Sequence, residues 1–355
     1  MNRVSKLIAK LKEKDLDGII VYNGLNRRYI SGFTGSSGYL YVSKNKKVLL
    51  TDFRYIEQGA QECEGFEVID MLKKGHIKTL DAIIQEDDVK KIAFEQNTIT
   101  YQEHTLLEEG LEVDNLVPTS DIIESLRMIK EEEELEHIKK AVAIGDKAFA
   151  HILNFIKVGV KEKDIALELE YFMKKEGAEK LSFDSIVASG VHSSMPHAKP
   201  TNKTLDNGDF LTLDFGCIYK GYCSDMTRTL VIGKANDKQK EIYNIVLEAQ
   251  LKGIEMIKEG ITGSQADKTS RNIIKKYGYD QYFGHSLGHS LGLFIHEAPR
   301  LSPLGYDILK EKMVVTVEPG IYIPQFGGVR IEDMVVVEKD GNLNLTQSPK
   351  ELIEL

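Results

Sequence analysis

The spacing of hydrophobic and polar positions changes period repeatedly along this chain, and each change predicts an element. Val4, Leu7, Ile8 and Leu11 recur at helical spacing with lysines between them, which predicts an amphipathic opening helix ending near Asp17-Gly18. The apolar run IIVY (19–22) predicts a buried strand. YLYVS (39–43) and KVLLTD (47–52) predict a hairpin around Lys44 to Lys46, and FEVID (66–70) and KIAFE (91–95) predict further strands. TYQEHTLLEEG (100–110) predicts a helix closed by Gly110. Helix and strand thus alternate over residues 1–125, as in an α/β domain.

Residues 126–355 read differently. Leu135, Ile138, Val142 and Phe149 share one stripe of a long helix that opens this half. Further helices are predicted from Glu162 to Lys175, Lys238 to Lys258 and Ser264 to Lys276, stopping at Gly177, Gly260 and Gly278. Strand pairs fill 210–232 and 313–338, so the expectation is helices packed on a mostly antiparallel sheet. A length of 355 residues suits two such domains.

Composition narrows the function. The chain is 42% hydrophobic and 28% charged with net charge −9, and it has no dense basic run, which argues against a nucleic-acid partner. The charged stretch Lys130 to Glu134 reads as the acidic start of a helix. No apolar run approaches the roughly 20 residues that span a bilayer, and the opening helix is not a signal peptide. Three cysteines, Cys63, Cys217 and Cys223, are too few and odd in number for a disulfide framework. They predict buried thiols in a reducing compartment, hence a cytoplasmic protein.

The chemistry lies in two strand pairs. Phe210 to Phe215 and Asp225 to Val231 alternate as strands around a turn centred near Tyr219-Lys220, which in a simple hairpin sets Asp214 directly opposite Asp225. A second turn, near Gln325 to Gly328, brings Glu318 close to Glu332. Like charges facing each other across strands are destabilising. Four carboxylates among Val, Ile and Leu would cost many kcal/mol if left uncompensated, or would titrate far above their usual range. Two divalent cations would neutralise them, which is the physical case for a dinuclear metal site. Imidazoles are at hand: FGHSLGHSLGLFIHEAPR (283–300) carries His285, His289 and His296 among glycines that let the backbone approach a ligand. Their spacing is not that of an HExxH zinc helix. His197 lies in SSMPHAKP, a loop stiffened by two prolines.

Taken in order, LDFG, SDMTRT, GHSLG, VEPGIY and RIED closely resemble the catalytic domain of the pita-bread metallopeptidases, which include aminopeptidase P, prolidase and methionine aminopeptidase. RYISGFTGS (28–36) and TDFRYIEQ (51–58) resemble the N-terminal domain of aminopeptidase P, prolidase and creatinase, a domain methionine aminopeptidases usually lack. The implied architecture is a creatinase-like α/β domain over 1–125 followed by a pita-bread α+β catalytic domain over 126–355. The resemblance implies metal ligands at Asp214, Asp225, His289, Glu318 and Glu332, with Asp225 and Glu332 bridging. It implies that Glu318 shuttles a proton, His197 stabilises the oxyanion, His296 positions the scissile peptide with His285 in support, and Arg330 and Tyr322 lie near the substrate.

The implied activity is that of an exopeptidase cleaving the Xaa-Pro bond at the N-terminus of small peptides, of the aminopeptidase P type. The alternative is a prolidase restricted to dipeptides, in which Arg300 would hold the free carboxylate rather than form a surface salt bridge. A non-catalytic peptide-binding module and a metal-free hydrolase like creatinase are remote, because both typically lack the ligand set. Four carboxylates to one imidazole make an oxygen-rich site that favours Mn²⁺, with Co²⁺ or Zn²⁺ as alternatives. Family members are often dimers, so a homodimer is expected.

Overall fold

The computed structural model describes residues 2–355, which fall into two compact units divided between Arg127 and Met128. Among the described residues the first unit holds a six-stranded sheet, in the order Glu67–Asp70, Lys47–Thr51, Tyr39–Ser43, Gly18–Val21, Lys91–Glu95 and Asn115–Thr119. The hairpin strand Tyr39–Ser43 runs antiparallel to both its neighbours, and the other pairings are parallel. Its centre is buried on both faces, which is why IIVY and YLYVS read as unbroken apolar runs. Two expectations shift. The opening helix is Arg3–Glu13 and ends sooner, because Asp15 takes a positive φ of 56°. Gly110 lies inside the helix Tyr101–Gly110 rather than beyond it, and a Cβ there would meet Ile77 Cγ2 at 2.3 Å, so it is kept small by packing.

The second unit opens with the helix Glu132–Ile152, whose buried stripe includes Leu135, Ile138, Val142 and Phe149. The helices Glu162–Lys175, Asp237–Met256 and Gly263–Lys276 stand where the periodicity placed them, followed by Gly177, Gly260 and Gly278 at positive φ. Its strand ladders are antiparallel. One sheet runs Met226–Val231, Phe210–Phe215, Ile186–Ser189; another runs Glu297–Leu301, Gly288–Ser290, Val314–Val317, Asp333–Val337, Asn342–Asn344. Two cores result. Ile144, Phe149 and Leu169 pack on Leu211 and Leu213 of the first sheet, while Ile242, Val246 and Ile274 pack on Val315 and Val335 of the second. The charged start of the long helix holds one surprise: Lys130, beside the capping box of Glu131 and Glu134, is buried, with its ammonium 3.4 Å from Glu297. The three cysteines are free and buried as expected, and burial pushes the Cys217 thiol up to about 11. Among the described residues no helix is long and apolar enough to cross a membrane.

The first acidic hairpin needs a correction. Its turn is Lys220-Gly221, at φ 47° and 87°, with Tyr219 opposite Tyr222. Positive φ at both central residues suits a tight hairpin turn, where glycine is at ease. Thr227, not Asp225, therefore faces Asp214. The register differs by two residues from the expected one, and because side chains alternate with a period of two, an even slip leaves the face unchanged. In the second hairpin Val317 faces Asp333 and Gly320 faces Arg330, so Glu318 and Glu332 occupy matching positions in the gap between two ladder segments.

Candidate metal centre

Each acidic side chain is placed by a strand end. Asp214 is the penultimate residue of Phe210–Phe215, Asp225 immediately precedes Met226–Val231, Glu318 follows Val314–Val317, and Glu332 precedes Asp333–Val337. The Glu332 N–H donates to the Thr227 carbonyl at 3.1 Å, joining the two hairpins where their acids meet. His289 lies within the strand Gly288–Ser290. A Cβ on Gly288 would sit 2.1 Å from the Thr316 carbonyl, so glycine lets the two strands close beside that histidine.

The electrostatics call for a cation. Asp214, Asp225 and Glu332 are 8%, 6% and 1% exposed, and Oδ1 of each aspartate and Oε1 of Glu332 are buried without a hydrogen-bond donor among the described residues. Their other contacts are few: Arg330 Nη2 donates to Asp214 Oδ2 at 2.6 Å, and Thr227 Oγ1 donates to Glu332 Oε2 at 2.7 Å. Burial, and then the mutual repulsion of the acids, hold Asp225 and Glu332 well above the usual carboxylate range. Glu318, whose side chain keeps 16% exposure, is pushed up to about 8, chiefly by burial and against the pull of Arg330. His289 donates through Nδ1 to the Ser290 carbonyl at 3.1 Å, so the lone pair of Nε2 faces outward, 3.6 Å from Asp225 and 3.5 Å from Glu318. Burial and the neighbouring His296 lower this imidazole to about 4, which keeps it neutral at physiological pH. A lone pair aimed at two carboxylates is repulsive unless a positive charge lies between them. Ligand atoms of Asp225, His289 and Glu332 lie within 4.8 Å of one another, close enough to share an ion. This donor set, with its orphaned buried oxygens, fits divalent metal.

A hydrogen-bonded chain backs the acids. Arg330 Nη1 donates to the Tyr322 hydroxyl at 2.7 Å, and that hydroxyl donates to His285 Nε2 at 2.9 Å, because His285 Nδ1 carries its proton toward the Ser286 carbonyl. Burial and then the Arg330 charge lower His285 to about 4. The bidentate pair Asp267–Arg271 grips this stretch from the helix behind: Arg271 donates to the carbonyls of Phe283 and His285, and Asp267 accepts from Leu287 N–H.

The acids open onto a cavity of about 520 Å³, walled also by His197, His285, His289, His296, Arg300 and Arg330. His197 and His296 are exposed to it, and the His296 ring stands edge-on to His289 with centroids 4.6 Å apart. Arg300 faces His289 across the strand pair, is exposed, and has no carboxylate partner among the described residues. Tyr322 stands behind the wall, on Arg330 and His285. The structure thus gathers every site residue named from the sequence into one region of the second unit. It adds Phe183 and Asp184, just before the strand Ile186–Ser189, and Ile186 at its start, a strand that was not read as an element. The apolar run IVAS was the available signal.

Comparison with known proteins agrees with this site. Residues 136–339 match the metallopeptidase family M24, and residues 3–129 match the creatinase/prolidase N-terminal domain. An Xaa-Pro dipeptidase of Pyrococcus horikoshii is 39% identical over 99% of this chain and 98% of its own length. Among solved structures, an Xaa-Pro dipeptidase from Bacillus anthracis aligns with TM-score 0.97 and 47% identity over 99% of each chain. An X-Pro aminopeptidase from Thermotoga maritima aligns with TM-score 0.93 and 38% identity over the whole of both chains. The orphaned acids, the imidazole turned toward them and the end-to-end likeness lead to one conclusion: this chain belongs to metallopeptidase family M24, a pita-bread hydrolase with a creatinase/prolidase N-terminal domain.

Proposed function

We propose that this protein is an Xaa-Pro dipeptidase of the cytoplasm, acting as a homodimer on dipeptides with proline in second position. The carrying observation is the set of buried carboxylate oxygens without donors among the described residues, grouped around a neutral imidazole at a cavity of about 520 Å³. Asp214, Asp225, His289, Glu318 and Glu332 would hold two divalent cations, Mn²⁺ in the first instance, whose charge polarises the scissile carbonyl and the attacking water. Glu318 suits proton transfer, since a carboxyl raised toward neutrality both accepts a proton and returns it. His197 would donate to the developing oxyanion. His296, beside His289, would orient the scissile peptide. His285, whose two nitrogens are already engaged, would hold Tyr322 and Arg330 in place rather than move a proton.

Arg300 supports the dipeptide reading. A guanidinium on the cavity wall, opposite His289 and with no carboxylate partner among the described residues, would take the free carboxylate of a proline at the C-terminus. The aminopeptidase reading, favoured by the sequence motifs alone, keeps support from the Thermotoga relative. The test is a panel on protein stripped by chelator and reloaded with Mn²⁺, Co²⁺ or Zn²⁺, comparing Xaa-Pro, Xaa-Pro-Yaa and Xaa-Ala. Hydrolysis confined to Xaa-Pro and dependent on metal is expected, with Arg300→Ala raising KM more than it lowers kcat. Equal rates on the tripeptide would favour the aminopeptidase. No cleavage of any proline peptide by metal-loaded protein would sink both. Sedimentation at micromolar concentration checks the dimer.

A further inference from the structure

His197 reaches the cavity on a segment, residues 189–201, whose two ends are held by one buried side chain. Glu162, the first residue of the helix Glu162–Lys175, is 0% exposed. Its Oε1 accepts from the backbone N–H of Ser189 at 2.7 Å and from the Ser189 hydroxyl at 2.9 Å. Its Oε2 accepts from the N–H of Thr201 at 2.9 Å and from the Thr201 hydroxyl at 2.6 Å. His192 Nδ1 lies 3.0 Å from both oxygens. A carboxylate has about four lone-pair directions, so these donors saturate it. An acid in the first turn of a helix ordinarily meets its own helix's free N–H groups. Glu162 turns away from them, and burying its charge is compensated by Ser189, Thr201 and a histidine. Burial alone would raise this carboxyl; the hydrogen bonds from Thr201, His192 and Ser189 outweigh it and hold it below the usual range. Between the gripped ends, the Ser193 hydroxyl accepts from Gly328 N–H at 2.9 Å, tying the segment to the strand Gly327–Arg330 that bears Arg330.

We propose that Glu162 is a positioning residue for the reaction: by clasping Ser189, His192 and Thr201 it fixes the segment that presents His197 to the substrate. The inference rests on the role given to His197 above. None of the clasping atoms touches the acids that would hold metal, so loosening the clasp is expected to displace His197 while leaving the metal centre loaded.

The experiment uses the full metal-loaded chain and three variants. Thr201→Val removes one donor, Thr201→Ser keeps it, and Glu162→Gln turns one acceptor into a donor. Amide hydrogen exchange over 190–200, kcat and KM on an Xaa-Pro dipeptide, and bound metal are measured together. Thr201→Val and Glu162→Gln are expected to speed exchange in 190–200 by about tenfold, the worth of one net hydrogen bond. The expected fall in kcat is about tenfold, within the roughly 100-fold that a misplacement of 1 Å can cost. KM and metal content should stay near the parent's, and Thr201→Ser should restore most of both losses. Unchanged exchange, or a kcat loss that tracks loss of metal, overturns the proposal. Should Glu162→Gln fail to fold, Thr201→Val decides. If the parent hydrolyses no proline peptide, the functional reading fails on its own, and the exchange result still decides whether the clasp holds the segment.

Discussion

Asp225 and Glu332 each keep one oxygen away from water and from every described donor, a cost that a fold tolerates only where another charge is to be bound. Removing one of these charges has opposite effects with and without metal. Asp225→Asn should raise the Tm of chelated protein, because it relieves repulsion among buried acids, and should abolish both the metal-induced rise in Tm and peptide hydrolysis. Each kcal/mol is worth about 2–4 °C for a unit of this size, so differential scanning calorimetry resolves the change. A variant that melted lower in chelator and still took up two ions would contradict the assignment. At this scale the four acids stood out in the sequence because two pairs of carboxylates facing each other among Val, Ile and Leu of strands are anomalous, although each acid alone is not. Glu162 and Lys130 did not, since a charged residue near the start of a helix looks the same whether it is solvated or buried. Their partners, Thr201 and Glu297, lie too far along the chain for any spacing rule to find.

Strand register decided whether the acids meet. The turn at Lys220-Gly221 was misplaced by one position, which moves the register by two and keeps Asp214 and Asp225 on one face. Gly221, at φ 87°, should not tolerate a side chain well: Gly221→Ala is expected to cost about 1 kcal/mol, read as a lower urea midpoint at unchanged m. The hairpins are also locked together by Arg228, which is 1% exposed, pairs with Asp333 at 2.8 Å, and donates to the carbonyls of Glu332, Ser348 and Pro349. Arg228→Met leaves a buried carboxylate without its guanidinium and should cost about 3–5 kcal/mol by the same measurement. Burial alone would raise Asp333, but Arg228 and Lys350 prevail and hold it below the usual range. Its folded-state value is thus depressed, so its contribution is present above roughly pH 4 and fades as pH falls through the folded value.

For the molecule as a whole, the acidic centre makes stability depend on pH and metal jointly. In chelated protein Glu318 titrates near 8 rather than 4.5, and Asp225 and Glu332 are raised as well. A carboxyl raised by folding binds its proton more tightly in the native state, so its stabilisation is complete below about pH 4.5 and is lost as pH rises through about 8. The Tm of chelated protein should therefore fall between about pH 5 and 8, and saturating Mn²⁺ should flatten that slope by taking the place of the protons. Equal slopes with and without Mn²⁺ would count against the centre. The order of residues alone was enough for the kind of each element it predicted, the two-part organisation, the inward face of the acids and the family motifs, because periodicity and turn chemistry are local, though it left the helix His76–Asp87 and the strand Ile186–Ser189 unread. Folding in three dimensions settled which carboxylate oxygens lack donors among the described residues, that Arg300 stands opposite His289 with no carboxylate partner among them, that Lys130 is buried, and that Glu162 accepts from both Ser189 and Thr201. Those outcomes depend on which distant segments are packed together and on which single atoms then come within about 3 Å, and neither is written into the spacing of residues along a strand or a helix.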